Sequence, residues 1–395
     1  MSYRYLILLL LVNACFMSVI FVFVFLASIL ARHIAPEASW STIPITSFVV
    51  GATIFVIPIS MLMEAQGRKF GFLVGTASGC LAGLLIYLAG NFNSFAAICL
   101  AGFFIGGSAV SAGFLRFAGL ELCNPENHGK AASIVLCGGI VASFFATRLP
   151  LLIQDTIQVE LFDALAISVS VLSVTSLILI LFLPRMHSGN DPKRKSSRTV
   201  VLDLSLFKQP LFRQGVAACA GGYAVMTLLM NAAPLHVTDI LGLPIETAEK
   251  VMRSHFMAMF APFLLSGILL DRFGAGNLAI SGVALNAISI ILLFSGSSEI
   301  HLHGALIALG IGWNFLFLSG TTILQSSLPH NRLHTGQRMN ELFLGGGNAL
   351  ASAFSGALIY TLGLNPLLVI ASIVCAVILM FSRPRKNMHE QQPGQ

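Results

Sequence analysis

Charged residues are scarce in this sequence. Lys and Arg number 22 and Asp and Glu number 16 among 395 residues, so charged side chains make up 10% of the chain, whereas a soluble domain carries about 25%. Apolar residues make up 56%, and the mean hydropathy is +0.87. So few charges cannot cover a water-exposed surface, which excludes a soluble enzyme, a nucleic-acid-binding protein and a disordered chain. At about 20 residues per spanning helix, the length suits roughly a dozen spans of an integral membrane protein.

The sequence also lacks motifs that carry chemistry. Its seven cysteines show no paired spacing, so they predict neither a disulfide framework nor a metal site and are interpreted as small packing residues. No Gly-Lys-Ser/Thr loop, His-Glu-x-x-His helix or nucleophile elbow is present, which argues against nucleotide hydrolysis and intramembrane proteolysis. We therefore expect no enzyme activity, no cofactor and no metal.

Long charge-poor stretches separated by loop residues predict twelve spans. Their approximate ranges are 5–31, 41–63, 71–90, 95–122, 131–154, 161–183, 210–235, 247–270, 278–295, 302–327, 339–361 and 366–382. Two of the hairpins turn at Asn91–Ser94 and at Gly363–Pro366, where the residue types suit a tight reversal. The pattern predicts an all-α membrane protein.

Lys and Arg are distributed unevenly over the predicted loops. Seventeen of the 22 fall on the side that holds both chain ends, three fall on the other side, and two lie within spans. Because cytoplasmic loops carry the excess of positive charge, we predict that both termini face the cytoplasm. The predicted organisation is an N-terminal six-helix bundle at 1–183, a cytoplasmic linker at 184–209, a C-terminal six-helix bundle at 210–383 and a cytoplasmic tail at 384–395.

The two halves of the sequence match under a single shift. Moving the chain by 207 residues carries Glu64 onto Asp271 and Gly67 onto Gly274, and two further loci stay in register without a gap. Such self-similarity indicates a duplicated six-span unit. Repeats related by an axis along the membrane normal are one way in which transporters frame a central path.

The repeated loop carries a family resemblance. Gly267–Gly274 reads G-I-L-L-D-R-F-G, which resembles the G-x-L-x-D-R-x-G loop motif of the major facilitator superfamily. Ser60–Lys69 resembles the first-half copy, with Ser for Gly, Glu for Asp and Ala for Arg. The resemblance covers the whole chain and implies twelve transmembrane helices in two pseudo-symmetric six-helix bundles. It also implies a monomeric secondary transporter, a symporter or antiporter, in the inner membrane of a bacterium.

Two departures from the family bear on the direction of transport. The Arg that many proton-coupled exporters carry early in span four would fall near Gly102, and it is absent. The span-five Gly-Pro motif of antiporters is not recognisable around Cys137–Gly139. Both departures favour import of a nutrient or metabolite, while an efflux antiporter for toxic compounds remains the alternative.

The resemblance also implies a cytoplasmic gate built on the loop motif. In the family, these charges contact the cytoplasmic ends of spans four and eleven and hold the outward-facing state. The matching residues here are Glu64, Gly67, Arg68, Lys69, Gly267, Asp271, Arg272 and Gly274, with Glu121 as a partner at the inner end of span four. Solvated loop charges are the alternative interpretation, since surface ion pairs are individually weak.

Polar side chains inside the spans are the candidates for the substrate cavity. Arg116 lies within span four, where a cation faces a water-filled cavity or a partner, or reaches the headgroups. The uncharged candidates are Asn13, Tyr223, Asn231, Trp313, Asn314 and Asn348, in spans that line the family's cavity. The amide and ring of Trp313-Asn314 suit an aromatic or amphipathic ligand, although interhelical hydrogen bonding explains any single Asn equally well.

Proton coupling needs a group that titrates inside a span. His255, in span eight, changes charge near neutral pH and is the first candidate, with Glu341 in span eleven as the second. A buried packing histidine is the alternative for His255.

These observations predict a transporter that moves a small organic molecule across the bilayer by alternating access, driven by an ion gradient, with the proton as the expected ion. No nucleic-acid partner is expected. A channel would not need paired gate motifs, and a membrane enzyme would need a catalytic cluster that the sequence does not show.

Overall fold

The computed structural model describes residues 3–123, 128–184, 203–328 and 330–382, and within these ranges the chain is built from helices and short connections. Fifteen α-helices are present there: α1 Tyr3–Ile34, α2 Ile43–Gln66, α3 Arg68–Asn91, α4 Phe95–Glu121, α5 His128–Phe145, α6 Leu149–Ile157, α7 Leu161–Leu181, α8 Pro210–Val216, α9 Gly222–Leu235, α10 Ile245–Phe260, α11 Phe263–Phe273, α12 Ala275–Ser295, α13 Glu299–Ser327, α14 His330–Leu362 and α15 Leu364–Ser382. Most of the predicted linker and the whole predicted tail lie outside the described residues. We call α1–α7 the first half and α8–α15 the second half.

Ten helical stretches within the described residues are long and apolar enough to span a membrane, and one of them, Pro210–Ile240, contains both α8 and α9. Two bent helix pairs bring the number to twelve if each pair is one span. The all-α fold predicted from the sequence is confirmed. Spans five and eight, however, were expected to be continuous. Span five bends by 42° between Ser133–Phe145 and Leu149–Ile157, and span eight bends by 57° between Ile245–Leu265 and Gly267–Phe273.

A proline lies near each interruption. Pro150 occupies the first turn of α6, and Pro262 directly precedes α11. A proline lacks the backbone N–H of the helical ladder and its ring clashes with the preceding turn, so a span can break there. Each broken span therefore has two independently directed segments.

Span seven also departs from a regular helix. Two π-helical segments, Ala217–Gly221 and His236–Ile240, flank α9. The second one carries the span beyond the expected end at residue 235. π-helical turns are rare and frequently mark functional sites.

The two loop-motif glycines adopt the same unusual backbone conformation. Gly67 ends α2 with φ 90° and ψ 160°, and Gly274 ends α11 with φ 78° and ψ 155°. This region of backbone space is essentially restricted to glycine. The matched turns, 207 residues apart, agree with the duplication seen in the sequence.

Small residues let the helices of the first half approach closely. A Cβ built on Gly75 would lie 2.1 Å from the Ser111 hydroxyl oxygen, and one on Gly79 would lie 2.4 Å from that of Ser173. Helix α3 therefore packs tightly against α4 and α7, as a small-residue stripe permits in a membrane.

Candidate functional site

The two ends of the helical bundle differ in how the halves meet. We call the end where α1 and α14 finish the distal face, and the end where α1 begins and α15 finishes the terminal face. At the distal face, Arg32 Nη1 lies 2.8 Å from Asp239 Oδ1, and the Tyr360 hydroxyl donates a hydrogen bond to Asp239 Oδ2. The Asp239 side chain is only 7% exposed. This ion pair joins α1 of the first half to span seven of the second.

A second distal contact joins spans five and eight. The Thr147 hydroxyl donates to Glu249 Oε1 at 2.8 Å, and Arg253 Nη1 lies 3.6 Å from the same oxygen. The Glu249 side chain is 1% exposed. A buried carboxylate is tolerated only when paired and hydrogen-bonded. Arg253 pairs with Glu249 within α10, and the Thr147 hydroxyl joins span five to span eight.

A third distal contact joins α2 and its preceding turn to α14. The Gly356 amide donates to Thr42 Oγ1 at 3.1 Å, and the Thr46 hydroxyl donates to Ser352 Oγ at 3.1 Å. Together, the three contacts close the distal face across three pairs of spans, each with one member from either half.

At the terminal face, the first loop motif binds within its own half. Arg68 Nη2 lies 2.6 Å from Glu121 Oε1, and Lys69 Nζ donates to the carbonyls of Leu181 and Leu183 at 2.8 and 2.7 Å. The ammonium group thereby satisfies carbonyls that the end of α7 leaves unpaired. The predicted partnership of Glu121 with the motif is seen as this ion pair.

The acids of both loop motifs are unpaired in this conformation. Glu64 and Asp271 are exposed, and the structure gives neither a hydrogen bond nor an ion pair with another described residue. Arg272 lies over the ring of Phe273, 5.5 Å from its centroid, and Gly267 has open space around it.

A further ion pair of the terminal face lies within the second half. Arg332 Nη2 is 2.6 Å from Asp203 Oδ2. The Ser205 hydroxyl and the nearby Arg332 lower the pKa of Asp203 below its ordinary value. Asp203 is therefore a charged partner at neutral pH.

An aromatic cluster occupies the middle of the second half. Trp313 stacks on Phe317 with ring centroids 5.5 Å apart and meets Tyr223 edge-on at 5.2 Å. Phe260 and Phe263 lie on its other sides, each 6.3 Å from the Trp313 centroid. We call these five residues the aromatic cluster. Trp313 is 4% exposed, and its Nε1 donor has no partner among the described residues.

The asparagines predicted to line the cavity instead connect helices. Asn13 donates to the Val135 carbonyl at 2.8 Å, and Asn314 donates to the Met259 carbonyl at 3.0 Å. Both side chains are essentially unexposed, so the expectation that they face a cavity is wrong for this conformation. An amide within apolar surroundings is stabilised most directly by a neighbouring carbonyl.

Two further amides tie α9 to α14. Asn231 donates to the Ser352 hydroxyl at 3.1 Å, and the Thr227 hydroxyl donates to Asn348 Oδ1. Asn231 is buried, whereas Asn348 is half-buried. Interhelical hydrogen bonding, the alternative weighed from the sequence, describes both residues.

His255 does not lie on a path. It is 0% exposed, and its Nδ1 lies 2.7 Å from the Leu306 carbonyl of α13. Its Nε2 has no described partner. The expected placement on the path side is therefore wrong here, because the ring packs into the α10–α13 contact.

Glu341 and Arg116 are two accessible charges within spans. Both side chains are exposed, one on α14 and the other on α4, and they interact electrostatically across the two halves. Tyr223 interacts electrostatically with both of these charges. Arg116 also rests over the ring of Phe117, 4.7 Å from its centroid.

A small cleft of about 50 Å³ lies between α5 and span eight. Its walls are Ser133, Leu136, Cys137 and Ile140 on one side and Phe260, Phe263 and Leu264 on the other. Sequence reasoning missed this cleft; Pro262 inside an apolar stretch was the available signal.

Comparison with known proteins agrees with this architecture. The family model of the Major Facilitator Superfamily matches residues 7–337 and 223–395. The chain is 29% identical to the riboflavin transporter RfnT of Brucella anthropi over 356 residues, covering 90% of this chain and 89% of that protein. It is 26% identical to the uncharacterised MFS-type transporter YddS of Bacillus subtilis over 347 residues, covering 84% and 79%.

Solved structures show the same fold at low identity. The nucleoside transporter NupG gives a TM-score of 0.68 at 13% identity, covering 98% of this chain and 100% of that one. An auto-inhibited POT family peptide transporter gives 0.72 at 14% identity, covering 99% of each chain. With the family model matching across nearly the whole sequence, the chain belongs to the major facilitator superfamily and is a multi-pass membrane transporter.

Proposed function

We propose that this transporter imports a planar heteroaromatic nutrient by alternating access, with riboflavin as the first candidate. The observation that carries this proposal is the aromatic cluster, in which the half-buried rings of Tyr223, Phe263 and Phe317 offer stacking surfaces. They surround the buried Trp313, whose Nε1 donor is unmatched among the described residues. Aromatic rings favour offset-stacked or edge-on partners. Similarity to a riboflavin transporter over 90% of the chain supports the same ligand class.

In this proposal, the distal contacts identify the conformational state of the carrier. With both termini in the cytoplasm, the distal face is the outer face, and its three polar contacts close it. The exposed Arg116 and Glu341 then belong to a path open to the cytoplasm. The protein in this conformation is an inward-facing carrier, and it acts as a monomer in the cytoplasmic membrane.

Glu341 is the leading proton-coupling group in the proposal. It is an accessible carboxylate in a span, and it interacts with the Arg116 cation of the opposite half. Protonation of Glu341 would remove that interaction between the halves and so bias the conformational equilibrium. His255 becomes the second candidate because its ring is enclosed by α10 and α13.

The loop motifs form the cytoplasmic gate in the proposal. Glu64 and Asp271 have no partner among the described residues in this state and would gain partners when the terminal face closes. Asp271→Asn and Glu64→Gln should therefore slow transport at unchanged expression. The substitutions remove charges that would form contacts only in the state with a closed terminal face, so they destabilise only that state. Initial uptake rates, normalised to protein in the membrane, measure this effect. Wild-type rates in both variants would contradict the gate.

Riboflavin uptake is the direct test of the proposed function. A bacterial strain lacking both riboflavin synthesis and its own uptake system would express this chain. We expect growth at low external riboflavin and saturable accumulation of labelled riboflavin that a protonophore abolishes. Faster loss of riboflavin from preloaded cells, without uptake, would instead indicate efflux.

A further inference from the structure

We propose that the glycines at 345–347 form a hinge in α14 and that Phe207 is a positioning residue for Glu341. Residues 203–208, the end of the predicted linker that the structure describes, hold the part of α14 on one side of this hinge. We call residues 203–208 the anchor segment. The inference rests on the proposed function in one respect, the coupling role of Glu341.

The anchor segment is attached to the terminal end of the second half at three points. Leu206 is 0% exposed and belongs to an apolar cluster with residues of α8, α13 and α14. Phe207 meets the ring of Phe343 on α14 edge-on, with centroids 5.0 Å apart. The ion pair between Asp203 and Arg332 adds an attachment to the first turns of α14. The end of α14 at the terminal face is therefore fixed to the linker.

Glu341 lies in the part of α14 that the anchor segment holds. Met339 is 1% exposed within the apolar cluster, and Phe343 contacts Phe207. Glu341 falls between Met339 and Phe343 in the chain, and residues two apart on an α-helix point in nearly opposite directions. The contacts therefore fix the backbone on both sides of Glu341 while its carboxylate stays exposed. Phe207 acts on Glu341 through the helix.

The distal part of α14 is attached to the first half instead. The Thr46 hydroxyl donates to Ser352, and the Gly356 amide donates to Thr42. Opening of the distal face in the transport cycle would break these two contacts. The anchor segment packs on the second half and keeps its own contacts, so the two parts of α14 are subject to different constraints.

The glycine run separates these two parts. Three consecutive glycines lie inside α14, where glycine is less favourable than any residue except proline. A Cβ on Gly346 would meet nothing within 4 Å, and one on Gly347 would lie 3.9 Å from its nearest neighbour. Close packing therefore does not require these two glycines, and their remaining effect is freedom of the backbone.

The matching glycines of the first half show the contrast. The 207-residue shift carries the first two glycines of the run onto Gly138 and Gly139 in α5. A Cβ on Gly138 would lie 2.6 Å from the Leu10 carbonyl oxygen, and one on Gly139 would lie 2.5 Å from a ring carbon of Phe260. Packing explains the pair in α5 and leaves the run in α14 to be explained by bending.

Hydrogen–deuterium exchange of the full-length protein in lipid nanodiscs tests the anchor segment without any substrate. Phe207→Ala removes the ring contact and should speed exchange of peptides from 330–344 about tenfold, the worth of one aromatic pair. Peptides from 348–362 should keep the wild-type rate, because the hinge separates them. Phe207→Tyr keeps the ring and should exchange as the wild type does.

Phe294→Ala is the matched control for exchange, since Phe294 lies on α12 and is 74% exposed. It should leave both parts of α14 unchanged. Equal acceleration in both parts by Phe207→Ala, or acceleration in neither, would overturn the anchor and the hinge.

A second substitution tests the hinge by transport. Gly346→Ala favours the straight helix and should lower the maximal rate of riboflavin uptake up to about fivefold, the preference of a helix for alanine over glycine. The KM should not change and the Tm should not fall. Gly276→Ala, which also places a methyl group in open space, should keep the wild-type rate. A wild-type rate in Gly346→Ala would overturn the hinge.

The pH dependence of uptake tests the positioning role. In Phe207→Ala the midpoint should move to higher pH, because a displaced Glu341 loses part of its interaction with Arg116. Phe207→Tyr should restore the wild-type midpoint. An unchanged midpoint in Phe207→Ala would overturn the positioning role. Absence of riboflavin uptake by the wild type, with exchange as expected, would overturn riboflavin as the substrate and support the anchor.

Discussion

At the residue scale, the polar side chains in the spans divide into those that bind neighbouring helices and those that stay accessible. Asn13, Asn314 and His255 contact backbone carbonyls of other helices, whereas Arg116 and Glu341 are exposed. Hydrogen bonds between helices contribute only about 0.6 kcal/mol each on average in a membrane protein. Their role is therefore to fix helix positions, and the ionic chemistry falls to the accessible pair.

The accessible pair leads to a prediction about coupling. Glu341→Gln keeps a polar side chain of similar size but cannot titrate, so it should abolish gradient-driven accumulation while exchange at equal concentrations survives. Accumulation as a function of external pH measures the effect. His255→Gln is the comparison: it should lower the yield of folded protein yet keep the wild-type pH profile. A wild-type pH profile in Glu341→Gln would refute the coupling role.

The motif glycines lead to a prediction about stability. Gly67→Ala and Gly274→Ala should each destabilise the protein by about 1–3 kcal/mol, because alanine is strained at their positive φ. Gly276→Ala is the control, since a Cβ there meets nothing within 4 Å and the backbone is not in the positive-φ region. Thermal unfolding in detergent should show a lower Tm for the first two variants only. Equal Tm values would mean that the turns relax without strain.

At the scale of the elements, the broken spans and the distal contacts coincide. Spans five and eight are both bent, they carry the Thr147–Glu249 hydrogen bond, and they form the two walls of the cleft. In span eight, Glu249 and Phe260 both lie on α10. The distal hydrogen bond and the cleft therefore share one helical segment of that span.

The distal ion pair leads to a prediction about the conformational equilibrium. Asp239→Asn removes the charge that Arg32 binds across the halves, and a loss of about 1 kcal/mol would raise the outward-open population roughly fivefold. An impermeant thiol reagent added outside should label a Ser352→Cys reporter faster, since Ser352 is buried beneath the closed face. The reporter is placed in a chain whose native cysteines are replaced.

Asp203→Asn is the matched control for that variant. It removes an aspartate that also pairs with an arginine, at 2.6 Å, but within the second half and at the terminal face. Its labelling rate should equal that of the reporter alone. If both variants accelerated labelling equally, general destabilisation would explain the effect and the distal pair would not be a gate.

At the scale of the whole molecule, polar contacts join the two halves at the distal face, whereas each ion pair described at the terminal face lies within one half. Stacking of Phe21 on Phe256, with centroids 4.2 Å apart, continues the contact between halves below the distal ion pair. The charge bias of the loops predicts which face lies in the cytoplasm. The assignment of the conformational state depends on that orientation.

The orientation leads to a topology prediction. A cysteine introduced as Ser94→Cys, in the turn between α3 and α4, should react with an impermeant thiol reagent in intact cells. One introduced as Ser196→Cys, in the predicted linker outside the described residues, should react only after the cells are permeabilised. Labelling of the Ser196→Cys variant in intact cells would contradict both the orientation and the inward-facing assignment.

Properties that depend on local composition could be predicted from the amino-acid order alone. Span positions follow from the length of apolar chain that crosses hydrocarbon, and the turns at Gly67, Asn93 and Gly274 follow from the few residue types that tolerate positive φ. The loop motif and the 207-residue shift are likewise linear features. Each of these depends on neighbours in the chain, so each could be predicted without the fold.

Which polar groups face one another depends on how the helices pack in three dimensions. Sequence placed His255, Asn314 and Glu341 in spans, yet a span residue faces either a neighbouring helix or the path according to how the helix is rotated. That rotation is set by close packing, as at Gly139 against Phe260. It is hard to predict from the sequence, because a nearly all-apolar helix has no distinct polar face. The distal ion pair and the cleft join residues more than a hundred positions apart, and such contacts exist only once the two halves have packed together.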